Sequence, residues 1–282
     1  MRPARLATLL LLSAAAAFAQ TEGIAEFQGS VHTEKDKTIL SHGKVYMSSA
    51  AVRVEWETDL REMAKERNAS GKSAMPETFQ MTTIQKMSEP GVMYSVSDKN
   101  KTYAVEKLDT ERGNANARDR KWKVERQGHD KVGGVSCEKA TLTAEDGDQT
   151  EVCVATDWKI SSSWLRAWNR REEQASPLQA LRDAGLTGFP VRWIFRHKGE
   201  KDSWSSMELV RFTKQSVPGS VFEIPPGYRK VDSMFETGMT PEQERQMREA
   251  RQKMKEAMDN MTPEQRKQYE EMMKRYAPTP HS

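Results

Sequence analysis

The sequence predicts an α+β fold: one large, curved antiparallel sheet with a helical crossover, followed by an amphipathic helical arm. Three observations carry this. Apolar residues alternate with a period of two through most of residues 23–213. Nothing shows the regular strand–helix alternation of a parallel sheet. Beyond residue 232 tryptophan disappears, and half of the sixteen methionines are gathered there.

The chain opens with Arg2 and Arg5, then an apolar run from Leu6 to Phe18 that closes on Ala17-Phe18-Ala19. That is the layout of a secretory signal peptide cleaved after Ala19. The run is too short to span a bilayer, and no later stretch is apolar enough to do so. The expectation is a periplasmic protein beginning near Gln20, with no cysteine at the cleavage site to take a lipid. Three parts follow: residues 1–19 as signal peptide, 20–232 as the sheet domain, and 233–282 as a Met-rich helical arm with a flexible tail.

Ala25, Phe27, Gly29 and Val31 fall on one face of a first strand. Lys44 to Met47 suggests a second. In a third, Val52, Val54 and Trp56 alternate with Arg53, Glu55 and Glu57, which marks a half-buried strand. Thr58 is a candidate cap for a short helix through Leu60, Met63 and Ala64, with Gly71 as its stop. Strands resume from Phe79 to Met87, at Val92, Tyr94 and Val96, and from Tyr103 to Leu108. Asp98 to Lys101 forms a turn, and Thr110 to Asp119 a polar loop. Trp122 and Val124 suggest one more strand.

The centre of the chain is Val132 to Trp158, two β-rich runs around Asp146-Gly147, a strong hairpin signal. Its arms carry the two cysteines of the chain, Cys137 and Cys153. In an oxidising compartment they are candidates for a disulfide, with two free thiols as the alternative. Closing a loop of about 15 residues is worth about 3 kcal/mol in the chain-entropy model. A two-residue turn would set Cys153 opposite Ala140 and Cys137 opposite Thr156, with the sulfurs not facing each other. A bulge or a longer loop corrects that register.

Lys159 to Gly185 reads as helical. Ser161 to Ser163 offer caps, and Trp164, Leu165 and Trp168 sit at helical spacing. Ser176-Pro177-Leu178-Gln179 then makes a second start, with Leu178 and Leu181 facing inward and Gly185 as the stop. Val191, Trp193 and Phe195 alternate with Arg192, Ile194 and Arg196, and a last long strand runs from Ser203 to about Thr213. The Pro225-Pro226 pair makes Val221 to Tyr228 an edge piece or a packed turn. The count is eight to ten antiparallel strands.

In the arm, Met239-Thr240-Pro241-Glu242-Gln243 and Met261-Thr262-Pro263-Glu264-Gln265 repeat one motif. Thr caps, Pro takes the first helical position, and Gln reaches back. Met247, Met254, Met258 and Met261 form a stripe in the first helix, and Tyr269, Met272, Met273 and Tyr276 one in the second. The stripe packs on the sheet or the other helix, or serves as a partner-binding surface, since thioethers adapt to varied apolar contacts. Copper binding by methionine ranks behind both.

The net charge of +3, with 30% charged residues of both signs interspersed, argues against a nucleic-acid partner. The five histidines, His32, His42, His129, His197 and His281, lack metal-ligand spacing, and no nucleophile, phosphate-loop or dinucleotide motif is present. No metal, cofactor or catalytic residue is expected. An enzyme would need a site assembled by the fold.

Four short motifs carry a resemblance: Val96-Ser97-Asp98-Lys99-Asn100-Lys101-Thr102-Tyr103, Val132-Gly133-Gly134-Val135-Ser136-Cys137, Glu151-Val152-Cys153-Val154-Ala155, and Phe222-Glu223-Ile224-Pro225-Pro226-Gly227-Tyr228. Over roughly Gly23 to Val231 the chain resembles the exported bacterial domain-of-unknown-function family 4412. That resemblance implies a layout similar to the LolA/LolB type, a curved antiparallel half-barrel around an apolar cavity, with no catalytic residues to carry over. The repeated Thr-Pro-Glu-Gln resembles the helix starts of Spy and CpxP type stress chaperones, with Met replacing Leu. The expected function is a non-catalytic periplasmic binding protein for a lipid, acyl chain or other apolar ligand. Trp56, Trp193 and Phe195 are its candidate lining residues, and ordinary core packing is their simpler role. The alternative is an envelope-stress chaperone acting on unfolded or envelope proteins through the arm.

Overall fold

The computed structural model describes residues 21–33, 37–69, 76–107, 121–158, 177–199, 203–262 and 264. The expected signal peptide, the polar loop expected from Thr110 to Asp119, the stretch around Trp164 to Trp168, the helix stop expected at Gly71 and the helix expected from Pro263 onward lie outside them.

The strands are β1 (Gly23–Thr33), β2 (Lys37–Met47), β3 (Ala51–Asp59), β4 (Thr78–Lys86), β5 (Val92–Ser97), β6 (Thr102–Lys107), β7 (Trp122–Val132), β8 (Val135–Ala144), β9 (Gln149–Ala155), β10 (Phe189–Arg196), β11 (Trp204–Thr213) and β12 (Arg229–Val231). They form one open, 12-stranded sheet in the order β12-β6-β5-β4-β3-β2-β1-β11-β10-β9-β8-β7. The fold is therefore the large curved antiparallel sheet the sequence predicts, with two corrections. It has more strands than the eight to ten expected, and β12 pairs with β6 in parallel. The prolines lie in the turn just before β12, so they do not interrupt its ladder. Pro225 accepts from the Tyr228 N–H, and the Arg229 N–H then reaches Lys101.

Residues are inserted into the ladders at three places. Register shifts occur at Glu26/Phe27, Arg126/Gly128 and Pro190/Arg192, and such bulges bend and twist a strand. Two strands separate β7 from β10, a gap of about 14 Å in a flat sheet. Yet Arg192 of β10 reaches Asp130 of β7 at 3.0 Å, so this end of the sheet curls on itself.

The central hairpin shows how one residue of register decides a covalent bond. Thr143 pairs with Gln149, so the loop consists of Glu145, Asp146 and Gly147. The Gly147 N–H donates to the Ala144 carbonyl at 2.9 Å, and Gly147 takes φ 93°, a left-handed conformation suited to glycine. The two-residue Asp146-Gly147 turn is thereby corrected to a longer loop. Cys153 falls opposite Lys139 rather than Ala140. A slip of one residue turns a whole strand over, and here it brings both cysteines to the same face. They are joined as Cys137–Cys153 with a Cα–Cα distance of 5.4 Å, within the normal span of a disulfide. The bond sits in the main core cluster beside Phe27, Phe189 and Leu209.

Asp59, not Thr58, starts the helix Arg61–Ala69, since its carboxylate accepts the Arg61 N–H at 3.1 Å. Thr58 remains in β3, paired with Phe79. The helix Pro177–Asp183 begins on the expected proline. It presses Leu181 onto Leu142, Val152 and Val154, and Gly185 follows it at φ 76°. After β11 the chain crosses back over the sheet through the 3-10 turn Gly219–Phe222. It buries Val217 and Phe222 against Ala51, Ile84 and Val96. The short helix Met234–Thr237 still belongs to this body: the Thr237 carbonyl accepts from Asn100 and Thr102, both at 2.9 Å. The arm helix Pro241–Asp259 starts with the full capping box, Thr240 and Gln243 each bonding the other's backbone.

Candidate functional site

Six neighbouring strands, from β5 through β4, β3, β2 and β1 to β11, share an open groove of about 620 Å³. Each of β1 to β4 contributes three consecutive residues to it, and strand alternation assigns them to faces. Gly43 lies opposite both Phe27 and Trp56. A Cβ on Gly43 would meet Trp56 Cε3 at 2.1 Å, and one on Gly29 would meet Trp56 Cζ2 at 2.9 Å. The indole therefore lies across these two glycines on the core face of the sheet. The flanking residues project the other way. Glu26 and Gln28, His42 and Lys44, Glu55 and Glu57, and Gln80 and Thr82 thus form the groove wall, and most of them are exposed.

The wall carries both charge signs, and its carboxylates are tied down. Glu26 receives Arg211 Nη2 at 2.7 Å, and this hydrogen bond holds its carboxyl below the usual range. Glu55 accepts from Arg53 Nε at 2.7 Å and from the Tyr46 hydroxyl at 3.2 Å. Burial first, and then the Glu55 charge, push the Tyr46 phenol up. Glu57 accepts from Gln80 at 2.6 Å.

At the upper rim Arg53 acts as a hub. It bonds Glu55, the Val221 carbonyl at 3.2 Å and Asp98 at 3.5 Å. Tyr228 donates to the same Asp98 at 2.7 Å. That hydrogen bond raises the Tyr228 pKa and fastens the returning segment over the groove's end. Lys44 and Lys99 add positive charge on the two sides.

Of the three expected lining residues, Trp56 alone borders the groove, with its ring turned to the core. Trp193 packs by Leu142, Val152 and Leu181 under the helix Pro177–Asp183, and Phe195 meets the His197 ring edge-on at 4.5 Å. The structure does not bring the three together. The polar residues of the groove wall belong to the other phase of the same strand alternation. Only the β1–β5 adjacency makes them a site, and no local motif marks it.

In the arm, Met254 is 53% exposed, while Met247, Met258 and Met261 are half-buried. Among the described residues no helix is long and apolar enough to cross a membrane, and no group of three His, Cys, Asp or Glu could hold a metal ion.

Residues 27–228 match the family described as Domain of unknown function (DUF4412). No curated protein matches the chain. Among solved structures, an uncharacterized conserved protein from Thermus thermophilus aligns at 9% identity and a TM-score of 0.36, over 74% of this chain and 90% of its own. The Pseudomonas aeruginosa MucA/MucB complex aligns at 10% identity and a TM-score of 0.33, over 73% of this chain and 56% of that one. A LolA superfamily protein from Nitrosomonas europaea aligns at 8% identity and a TM-score of 0.30, over 72% and 90%.

Proposed function

The chain belongs to the DUF4412 family, and on that premise we propose that it is a non-catalytic binding protein of the cell envelope that holds an amphipathic, charge-bearing ligand along the sheet groove. The observation that carries this is a groove across six strands whose wall offers Glu26, Glu55 and Glu57 beside Lys44 and His42. Such a wall suits a zwitterionic headgroup better than a bare acyl chain, because buried or bound charge needs a partner. This narrows the apolar ligand expected from sequence toward polar lipids and similar amphiphiles. The disulfide buried in the core supports export to an oxidising compartment.

The test is native mass spectrometry of the mature protein purified gently from the periplasm, beside a Gln28→Trp variant that fills the groove from an exposed strand position. The reading expects an amphiphile mass on the wild type and its loss in the folded variant. A bare wild type, or a variant that keeps the mass, overturns it.

A second reading is favoured by the exposed Met254: the arm acts as a chaperone-like surface for unfolded envelope proteins. Removing residues 239–282 should then abolish suppression of aggregation and leave the sheet domain folded. Activity that survives the deletion refutes it.

A further inference from the structure

The arm helix Pro241–Asp259 is attached to the sheet body in an unusual way for an amphipathic helix. Among its described residues the one fully buried side chain is a carboxylate: Glu244 is 4% exposed. Arg229 of β12 reaches Glu244 at 2.7 Å, and Arg248, one turn along the helix, reaches it at 3.4 Å. The second link has the opposite polarity. Arg251 of the arm reaches Glu236 of the helix Met234–Thr237 at 2.7 Å, and that carboxylate also accepts the Asp232 N–H at 3.3 Å. The methionine stripe meanwhile leaves Met254 more than half exposed. Met247 and Met258 are only half-buried, so the apolar contribution to docking, which salt does not weaken, is partial and the ionic links carry the rest. The arginines of both links are about half exposed, at 52% and 53%, so the Coulomb attraction that holds the arm is open to salt, with a Debye length of about 3 Å at 1 M against about 10 Å at 0.1 M, though less fully at the buried carboxylates.

We propose that Glu244–Arg229 and Arg251–Glu236 form a reciprocal ionic latch, and that the arm is a releasable lever which swings off the body as an intact helix when the latch is screened or broken. The body end of the latch is already built to stay behind. Arg229 lies on a strand anchored to β6, and Glu236 lies on a helix whose Thr237 carbonyl is held by Asn100 and Thr102. The lever end carries its own capping box at Thr240 and Gln243, so the helix keeps its start after release. The hinge is the short link from Gly238 to Thr240. This inference does not depend on what the groove binds.

The experiment uses full-length mature protein with spin labels at Lys107→Cys and Ala257→Cys, both exposed positions, and pulsed distance measurements at 50 mM and 1 M sodium chloride. The expected result is a single distance at low salt and its loss to a broad, longer distribution at high salt. The Arg229→Ala/Arg251→Ala variant should show the broad distribution already at low salt, with the melting of the sheet domain unchanged. The exchange Glu236→Arg with Arg251→Glu should restore the single distance. A distance that survives both 1 M salt and the double substitution overturns the latch, and so does an exchange that fails to restore it in a folded protein.

Discussion

Substituting Gly43 by alanine is a sharp test of where the Trp56 ring lies. The new methyl would sit 2.1 Å from Cε3 and 2.2 Å from Cζ3 of Trp56, far inside contact distance. Gly43 is not at positive φ, so the cost is packing and not backbone strain. Overpacking of this kind costs about 1–3 kcal/mol, offset by about 0.4–1 kcal/mol from the less flexible unfolded chain. The net expectation is a loss of about 1–2 kcal/mol. In a Trp56→Ala background the collision is gone and only the favourable term is left, so the same substitution should become neutral or stabilising. The coupling between the two positions is then about 2 kcal/mol, large for a double-mutant cycle. Urea denaturation reads it as a shift in midpoint at constant slope. If Gly43→Ala is neutral in both backgrounds, the indole is not packed over the glycine. The assignment of the polar side chains to the open groove would fall with it.

Two further outcomes follow from the same structure. Replacing Cys137 and Cys153 together by alanine removes a cross-link between positions 16 apart in sequence. It should lower stability by about 3 kcal/mol from chain entropy, plus a share for the cavity left in the core, read by thermal or urea unfolding; a change below about 1 kcal/mol would contradict a structural role. Asp59 is held at a pKa of about 2 against an ordinary 3.8, chiefly by its hydrogen bonds with Arg61. Because the folded value is depressed, its contribution is complete above 3.8 and fades as pH falls through about 2. A carbon-detected carboxyl titration should place its midpoint near 2, and a midpoint near 3.8 would show that the cap is not formed.

The sheet was legible in the sequence wherever one face is buried. Val52, Val54 and Trp56 against Arg53, Glu55 and Glu57 mark β3 because the three apolar residues share the face that packs on the main core cluster. The length of β7 was not legible beyond Val124, since Glu125 to Gln127 are all exposed on the strand at the end of the sheet order and polarity hides the period. The hairpin at Asp146-Gly147 was recognised, but its register was not. A two-residue and a three-residue loop use the same dipeptide, and tertiary packing of both cysteines chooses between them. The Thr240 capping box was fully local and correctly read. The groove was the least legible feature. Glu26, Lys44, Glu55 and Glu57 come from three strands, and each looks like a solvated residue until the strands are laid side by side. Trp193 and Phe195 drew notice because they are large and aromatic, and the sheet's curl places them by Leu142 and His197, away from the groove.

Whether the charged sheet groove, and not the core face or the arm, receives the ligand can be read from a backbone amide NMR titration of the mature protein with dodecylphosphocholine, a zwitterionic single-chain amphiphile, kept below its critical micelle concentration. Saturable shifts are expected at residues 26–28, 42–44, 55–57 and 80–82, with their loss in Gln28→Trp. Shifts confined to the arm around Met254, or no saturable shifts at all, would contradict binding in the groove.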